Sequence, residues 1–311
     1  MLFNILILII GFVLLIKGAD YLVAGAAGIA QKFHIPEIVI GLTIVAFGTS
    51  APEAAISISA GIKGVTGISI GNVLGSNILN ILLILGITAC IVPLKVAKNT
   101  VRYEMPFTIG ITVLLIVMGA MFHEIGLAAG VIFWALFIGF LAYLFRMAKS
   151  GQTELEGEPV KNQPIWQLVL LTLGGLIAIV WGSDLTVDSA SAIASALGMS
   201  DRLIGLTIVA FGTSLPELVT SITAARKNNV DIAIGNIVGS NIFNILFVLG
   251  TTCLITTIPY AANFLVDGLV CIAAAVLLWA CVAKTKELRR WSGVLFLLVY
   301  AGYFTYLVVL R

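Results

Sequence analysis

The chain alternates between long apolar segments and short polar ones along its whole length. A membrane-crossing helix needs about 20 mostly apolar residues. Ten segments approach that length, at 2–24, 36–61, 68–92, 104–122, 125–146, 165–189, 200–225, 231–257, 262–283 and 292–310. After the fifth segment, residues 150–164 are polar, acidic and too few to form a domain. The pattern predicts an all-α membrane protein with five helices at 1–149, a linker at 150–164 and five helices at 165–311.

The two predicted halves share a long internal repeat. Residues 41–53 read GLTIVAFGTSAPE and residues 205–217 read GLTIVAFGTSLPE, so twelve of thirteen positions agree at an offset of 164. Residues 71–86 and 235–250 continue the repeat with eleven of sixteen positions identical. Because each half holds an odd number of segments, the two copies enter the membrane in opposite directions. The sequence therefore predicts ten transmembrane helices arranged as two inverted five-helix repeats.

The loop charges indicate which end of the chain lies outside the cell. With the N-terminus outside, the outer side holds only Lys63, Arg202 and Arg311, while Lys17 lies in the first span. The inner side then holds thirteen basic residues: Lys32, Lys95, Lys98, Arg102, Arg146, Lys149, Lys161, Arg226, Lys227, Lys284, Lys286, Arg289 and Arg290. An excess of Lys and Arg marks the cytoplasmic side. We therefore expect an external N-terminus, a cytoplasmic linker and a first span that is retained rather than cleaved as a signal peptide.

Composition supports the membrane assignment. Hydrophobic residues make up 60% of the 311 residues and charged residues only 10%, against about 25% charged residues in soluble domains. The lipid bilayer of the plasma membrane is the expected environment, and no nucleic-acid partner or cofactor is expected. The four cysteines, Cys90, Cys253, Cys271 and Cys281, lie in or beside apolar segments without metal-ligand spacing. We interpret these four cysteines as buried free thiols.

The repeated stretch contains an acid inside an otherwise apolar helix. In the first copy Pro52 removes a backbone donor and Gly48 loosens the helix, so the span should kink or break there. Thr49 and Glu53 lie four residues apart and share one helical face, with the Ser50 hydroxyl close by. A glutamate near the centre of a bilayer costs about 2.5–3.5 kcal/mol or more. Its presence in both copies favours a functional role.

The next span adds a polar stripe. Its residues recur every fourth position on one face, and the second copy of the repeat supplies the same types. The first stripe consists of Asn72, Ser76 and Asn80, and the second of Asn236, Ser240 and Asn244. The second copy of the broken span also supplies Thr213, Ser214 and Glu217, which match Thr49, Ser50 and Glu53. Brought together about a pseudo-twofold axis, these side chains offer only oxygen and amide groups. Such a set suits a hard cation such as Na⁺ or Ca²⁺ and disfavours zinc or copper.

Several elements also have a purely structural interpretation. Ser50 and Glu53 have the spacing of a helix capping box. The paired glycines at 71 and 75, and at 235 and 239, fit close helix packing better than ion contact. Asn72 and Asn236 could either brace helices or bind an ion. Asn77 and Asn241 fall off the stripe and are interpreted as structural, and Asp20 and Asp184 as interfacial anchors or caps.

At these residues the chain resembles the cation/calcium antiporter superfamily, and within it the sodium/calcium exchangers of prokaryotic type. The GTS-x-PE and GN-x-x-GSN-x-x-N stretches are similar to the two alpha-repeats of that family. The resemblance implies ion binding by Thr49, Ser50, Glu53, Ser76, Asn80, Thr213, Ser214, Glu217, Ser240 and Asn244, with the backbone carbonyls of Ala46 and Ala210. It also implies that the first and sixth spans slide against the rest.

One departure from parts of the family bears on ion choice. Potassium-dependent and some archaeal members carry an aspartate where this chain has Asn244, so Glu53 and Glu217 are the only central carboxylates. The resemblance therefore implies a monomeric antiporter of Na⁺ and Ca²⁺ across the plasma membrane, without K⁺. The alternatives are a proton-coupled or K⁺-dependent cation antiporter on the same fold, and an ion channel. An intramembrane hydrolase is disfavoured because no histidine or lysine base accompanies Ser50 in the membrane, and because a duplicated site has no catalytic rationale.

Overall fold

The computed structural model describes residues 2–150, 163–198 and 210–307. Twelve helices occur in these ranges, with a further four strands of two residues each. The helices are α1 (Leu2–Phe33), α2 (Glu37–Thr49), α3 (Ala51–Ile62), α4 (Thr66–Ile91), α5 (Thr100–Phe122), α6 (Leu127–Ser150), α7 (Ile165–Ala196), α8 (Ala210–Gly212), α9 (Leu215–Arg226), α10 (Val230–Ile255), α11 (Ala262–Ala283) and α12 (Arg290–Thr305). The strands are β1 (Leu94–Lys95), β2 (Glu124–Ile125), β3 (Ile258–Pro259) and β4 (Glu287–Leu288).

Within the described residues, seven helices are long and apolar enough to cross a membrane, and α2 with α3 forms an eighth, broken span. The predicted span at 200–225 falls partly on 199–209, which lie outside the described residues, as does most of the predicted linker. The last predicted span, 292–310, corresponds to α12, and residues 308–310 of that span lie outside the described residues. The protein is an all-helical, multi-pass membrane protein.

The predicted break in the repeated stretch is present in both copies. Helix α2 ends at Thr49, and α3 begins at Ala51 after a bend of 53°. Pro52 lies in the first turn of α3, where its missing N–H costs nothing because that donor has no partner inside the helix. In the second copy α8 ends at Gly212 and α9 begins at Leu215. Each break places a helix N-terminus inside the protein.

Helices α4 and α10 form the centre of the molecule. α10 is almost wholly buried and packs on α2, while α4 packs on α3 and α11. Gly235 and Gly239 allow this contact, because a Cβ at either position would lie about 3 Å or less from the α2 backbone or the Ala46 side chain. Close packing was the interpretation for both glycine pairs, and it is confirmed for the second pair. It is wrong for the first pair, because a Cβ at Gly75 would meet no atom within 4 Å and one at Gly71 only Phe264 at 3.8 Å.

Short antiparallel ladders join loops that are distant in sequence. β1 pairs with β4, with Leu94 opposite Leu288, and β2 pairs with β3, with Ile125 opposite Ile258. Leu94, Ile125, Ile258 and Leu288 are all almost fully buried, so one side chain of each strand packs into the hydrophobic core. Two-residue strands carry no periodic signal, and the sequence did not predict them.

Several helices also contain π-helical turns. Among the described residues these include Gly41–Val45 in α2, Asn80–Ile84 in α4, Thr100–Glu104 in α5 and Asn244–Leu249 in α10. Two of these turns begin at Asn80 and Asn244, the last members of the two polar stripes. π-Helical turns are rare and concentrate at functional sites, because the extra residue rotates a side chain out of its regular position.

Candidate functional site

The two glutamates of the repeat lie in the interior of the protein. Glu53 and Glu217 are each only 1% exposed. Each sits in the first turn of the helix that follows the break, in α3 and α9 respectively. The N-terminal end of a helix carries a partial positive charge and free N–H groups, so it favours a carboxylate. The break in each span therefore creates the local environment in which a buried glutamate is tolerated.

Serine hydroxyls cross from one repeat to the other. Ser50 donates through Oγ to Glu217 Oε1 at 2.8 Å, and Ser214 donates to Glu53 Oε1 at 3.2 Å. Both serines occupy the N-cap position of their helix, yet neither makes a side-chain capping hydrogen bond. The capping-box interpretation of Ser50 and Glu53 is therefore wrong. The serine of each copy instead orients the carboxylate of the other copy.

The threonines and one backbone carbonyl complete this cluster. Thr49 is fully buried and donates to Asn236 Oδ1 at 2.9 Å, and Thr213 hydrogen-bonds Glu53. The Ala46 carbonyl oxygen accepts the backbone N–H of Ser50 at 3.0 Å and lies 3.5 Å from Ser240 Oγ. It is therefore shared between protein donors rather than freed by the helix break. Ala210 is the first residue of α8, immediately after the undescribed range.

The off-stripe asparagines join the two repeats. Asn77 donates to the Asn241 carbonyl at 3.1 Å, and Asn241 donates to the Asn77 carbonyl at 3.3 Å. Their side-chain oxygens accept from the stripe: Asn80 donates to Asn241 Oδ1 at 3.0 Å, and Asn244 to Asn77 Oδ1 at 3.2 Å. The structural interpretation of Asn77 and Asn241 is confirmed. They also fix the amide groups of Asn80 and Asn244, which the sequence did not reveal.

Asn72 and Asn236 brace the broken spans against the next helix. Asn72 donates to the Glu53 carbonyl at 3.3 Å and to Ser57 Oγ at 2.9 Å. Asn236 repeats the pattern with the Glu217 carbonyl at 3.4 Å and Ser221 Oγ at 3.0 Å. Of the two interpretations left open for these asparagines, the structure shows bracing. Ser57 and Ser221 were missed, although their equal spacing from the two glutamates offered a signal.

Four buried oxygens of this region have no hydrogen-bond partner among the described residues. They are Glu53 Oε2, Glu217 Oε2, Asn80 Oδ1 and Asn244 Oδ1. All four are acceptors, and they form two pairs related by the repeat. Ser76 and Ser240 lie one helical turn before Asn80 and Asn244, and both are buried. Buried acceptors without donors are unfavourable in a protein interior, and a bound cation would remove this cost.

The cluster can carry at most two negative charges. Among the described residues there is no group of three or more His, Cys, Asp and Glu side chains that could hold a metal ion. The arrangement therefore combines two carboxylates with neutral hydroxyl, amide and carbonyl oxygens. Oxygen donors of this kind suit Na⁺ and Ca²⁺.

A family model described as sodium/calcium exchanger protein matches residues 3–146 and 167–309. The chain belongs to the sodium/calcium exchanger family. The members of this family are transporters, and the match covers nearly the whole chain in two segments. The family predicted from the repeat is confirmed.

Individual relatives match the chain along nearly their full length. The chain is 41% identical to the putative antiporter CaxA of Alkalimonas amylolytica, covering 97% of this chain and 98% of the relative. It is 35% identical to the sodium/calcium exchanger MaX1 of Methanosarcina acetivorans, covering 96% and 97%. Among solved structures, the sodium-calcium exchanger NCX_Mj superposes with a TM-score of 0.86 at 37% identity, covering 98% of each chain. The chain therefore has the fold of that exchanger.

Proposed function

We propose that this protein is a secondary antiporter that exchanges Na⁺ for Ca²⁺ across the plasma membrane by alternating access. It works as a monomer without a cofactor, because one chain carries both copies of the repeat. The proposed ion ligands are the side chains of Glu53, Glu217, Thr49, Thr213, Ser50, Ser214, Ser76, Ser240, Asn80 and Asn244, with the carbonyls of Ala46 and Ala210.

The observation that carries this proposal is the set of four buried acceptor oxygens on Glu53, Glu217, Asn80 and Asn244. Their amide nitrogens and second carboxylate oxygens are already bonded to protein groups. The side chains are thus held with one free oxygen each, which is the preorganisation that a cation site needs. Two carboxylates neutralise one Ca²⁺ or two Na⁺. Because the site holds either Ca²⁺ or Na⁺ but not both, the two ions compete for it, and this competition couples the transport of one to the transport of the other.

The strand pairing supports an inverted arrangement of the two repeats. β1 and β3 occupy equivalent positions at the offset of 164, and β2 and β4 agree within one residue. Because α5 crosses the membrane between β1 and β2, these two strands would lie on opposite faces of the membrane. β2 pairs with β3, so the equivalent strands β1 and β3 also lie on opposite faces. This arrangement, with the loop charges, supports ten spans and an external N-terminus.

Calcium uptake into proteoliposomes tests the coupling ion. Vesicles loaded with Na⁺ are diluted into K⁺ or choline medium containing radioactive Ca²⁺, and matched vesicles receive an acid gradient without Na⁺. We expect uptake that requires internal Na⁺, does not depend on K⁺ and changes with membrane potential if more than two Na⁺ move per Ca²⁺.

Each other result identifies an alternative. Uptake driven by the proton gradient without Na⁺ would replace Na⁺ by H⁺ as the coupling ion. A requirement for K⁺ would indicate a potassium-dependent exchanger. Currents at channel rates would reject alternating access altogether.

A further inference from the structure

Helices α1 and α7 form a pair that is symmetric within itself. A Cβ added at Gly18 would lie 2.8 Å from the Gly175 carbonyl oxygen, and one added at Gly182 would lie 2.8 Å from the Gly11 carbonyl oxygen. At the offset of 164, Gly18 corresponds to Gly182 and Gly11 to Gly175. The two backbones therefore touch through equivalent glycines, which is the close packing that small residues allow in membranes.

The contact between this pair and the other helices is asymmetric. α1 packs along α9, whereas the equivalent contact of α7 with α3 is nearly absent in the described parts of the chain. Exposure shows the same difference, because Thr220 on α9 is 0% exposed and the equivalent Ile56 on α3 is 36% exposed. The α1–α7 pair thus covers the second broken span and leaves the first one open.

An ion pair marks the covered end. Lys227 Nζ, just after α9, lies 2.9 Å from Asp20 Oδ1 and donates to the Asp20 carbonyl oxygen at 3.1 Å. The equivalent residues are Lys63, just after α3, and Asp184 on α7. Both are exposed, and no ion pair joins them to each other or to another described residue.

We propose that Asp20–Lys227 and Asp184–Lys63 are two latches that form in alternation during transport. In an inverted repeat, the opposite access state arises when the two halves exchange conformations. The contact that α1 makes with α9 in one state is then made by α7 with α3 in the other. The present structure has the Lys227 end closed, on the predicted cytoplasmic side, and the Lys63 end open. This inference rests on the proposed function only for alternating access, and does not depend on the ion.

The exposure of these pairs fits a reversible contact. The side chains of Lys227 and Asp20 are 38% and 35% exposed, so water screens their attraction. Partly exposed pairs of this kind shift a conformational equilibrium by about two- to fivefold. A latch of this strength favours one state without preventing exchange between states.

Cysteine cross-linking tests the second latch directly. The four native cysteines are replaced, a protease site is placed between residues 150 and 164, and the pair Asp184→Cys with Lys63→Cys is introduced. A short bifunctional thiol reagent then joins the two halves, and they stay together after cleavage only if the cysteines meet. We expect this pair to cross-link, and we expect Asp20→Cys with Lys227→Cys to cross-link as well. Changing the Na⁺ and Ca²⁺ concentrations should change the two yields in opposite directions, because the two contacts belong to opposite access states.

Two controls define the result. Asp20→Cys with Asp184→Cys should not cross-link, because the glycine contacts place these residues about 16 Å apart along the helix pair. Adding Lys227→Gln to the Asp184–Lys63 cysteine pair should raise its cross-linking about two- to fivefold, whereas the exposed neighbour Arg226→Gln should not.

The proposal is overturned if the Asp184–Lys63 pair never cross-links while the Asp20–Lys227 pair does. It is also overturned if both yields change in the same direction. Because cross-linking is read on a gel, it is independent of the coupling ion. Proton-driven uptake with alternating cross-links would reject Na⁺ coupling and keep the latches, whereas Na⁺-driven uptake without the second cross-link would reject only the latches.

Discussion

The contacts in the centre of the molecule follow the symmetry of the repeat, whereas those at the α1–α7 edge do not. In the centre most of the side-chain hydrogen bonds have an equivalent, such as Ser50 to Glu217 and Ser214 to Glu53, or Asn77 to Asn241 in both directions. At the edge the equivalence fails, since Asp20 pairs with Lys227 while Asp184 and Lys63 remain exposed. Under the proposed alternating access, a site that is reached from both sides benefits from symmetry, whereas a helix pair that closes one side at a time is displaced from the symmetry axis of the centre. The following predictions test this division, from the largest expected effect to the smallest.

Glu53→Gln and Glu217→Gln should each abolish exchange. Either change removes one of two charges from a buried site, and a unit charge at 4 Å contributes about 4 kcal/mol at an effective dielectric of 20. Uptake of Ca²⁺ should therefore fall by more than roughly a hundredfold in both variants. Sodium-driven uptake in proteoliposomes measures this. Full activity in either variant would show that this glutamate is not an ion ligand and that the two copies of the repeat do not contribute equally to the site.

Glu104→Gln is the matched control for these variants. Glu104 is also buried in a membrane helix, at 1% exposure, and like the two glutamates of the repeat it accepts a hydroxyl hydrogen bond, from Tyr143, and keeps one oxygen without a partner among the described residues. It differs from them in lying outside the repeated stretches. Glutamine can still accept that hydrogen bond. We expect this variant to keep its exchange activity, which would show that the loss at Glu53 and Glu217 comes from their position.

Asn244→Asp should tighten Ca²⁺ binding by roughly tenfold or create a dependence on K⁺, because a full charge replaces an amide oxygen. The ion-free protein should lose about 1–3 kcal/mol of stability, since the donor to Asn77 Oδ1 disappears. Thermal unfolding in detergent, titrated with Ca²⁺ and K⁺, measures both effects. Asn80→Asp should behave in the same way. An unchanged ion dependence would mean that neither position is a ligand.

Gly175→Ala should destabilise the α1–α7 pair by about 1–3 kcal/mol, because the new methyl group would lie 2.5 Å from the Leu22 amide nitrogen. Gly11→Ala, its equivalent, should have a similar effect through Thr186 Oγ1 at 2.5 Å. The neighbour Gly174 has no atom within 4 Å of an added Cβ, so Gly174→Ala should be neutral or slightly stabilising. Thermal unfolding in detergent compares the three. Equal stability of Gly174→Ala and Gly175→Ala would show that Gly175 makes no close contact with α1.

The sequence predicted the parts of this molecule that depend on repetition and polarity. An acid, hydroxyls and a proline inside an apolar repeat predicted both the broken spans and the residues that meet around Glu53 and Glu217. The sequence did not reveal that these hydrogen bonds connect a residue of one repeat to a residue of the other. Ser50 and Glu53 have capping-box spacing, but the competing acceptor, Glu217, lies 167 residues away from Ser50. The π-helical turns and two-residue strands depend on tertiary packing, which leaves no local pattern.

The smallest expected effect distinguishes the two serines. Ser50→Ala and Ser214→Ala each remove one hydrogen bond to a glutamate, which should weaken Ca²⁺ binding by about 1 kcal/mol, or roughly fivefold. The Ser50 bond is shorter, at 2.8 Å against 3.2 Å, so its loss should cost more. Ser59→Ala, on the exposed side of α3, is the control and should leave binding unchanged. If the two losses instead proved equal, the difference in length would be irrelevant and the centre fully symmetric. If the Ser50 loss is larger, the two copies of the repeat contribute unequally to ion binding, and the asymmetry seen at the α1–α7 edge extends to the ligands.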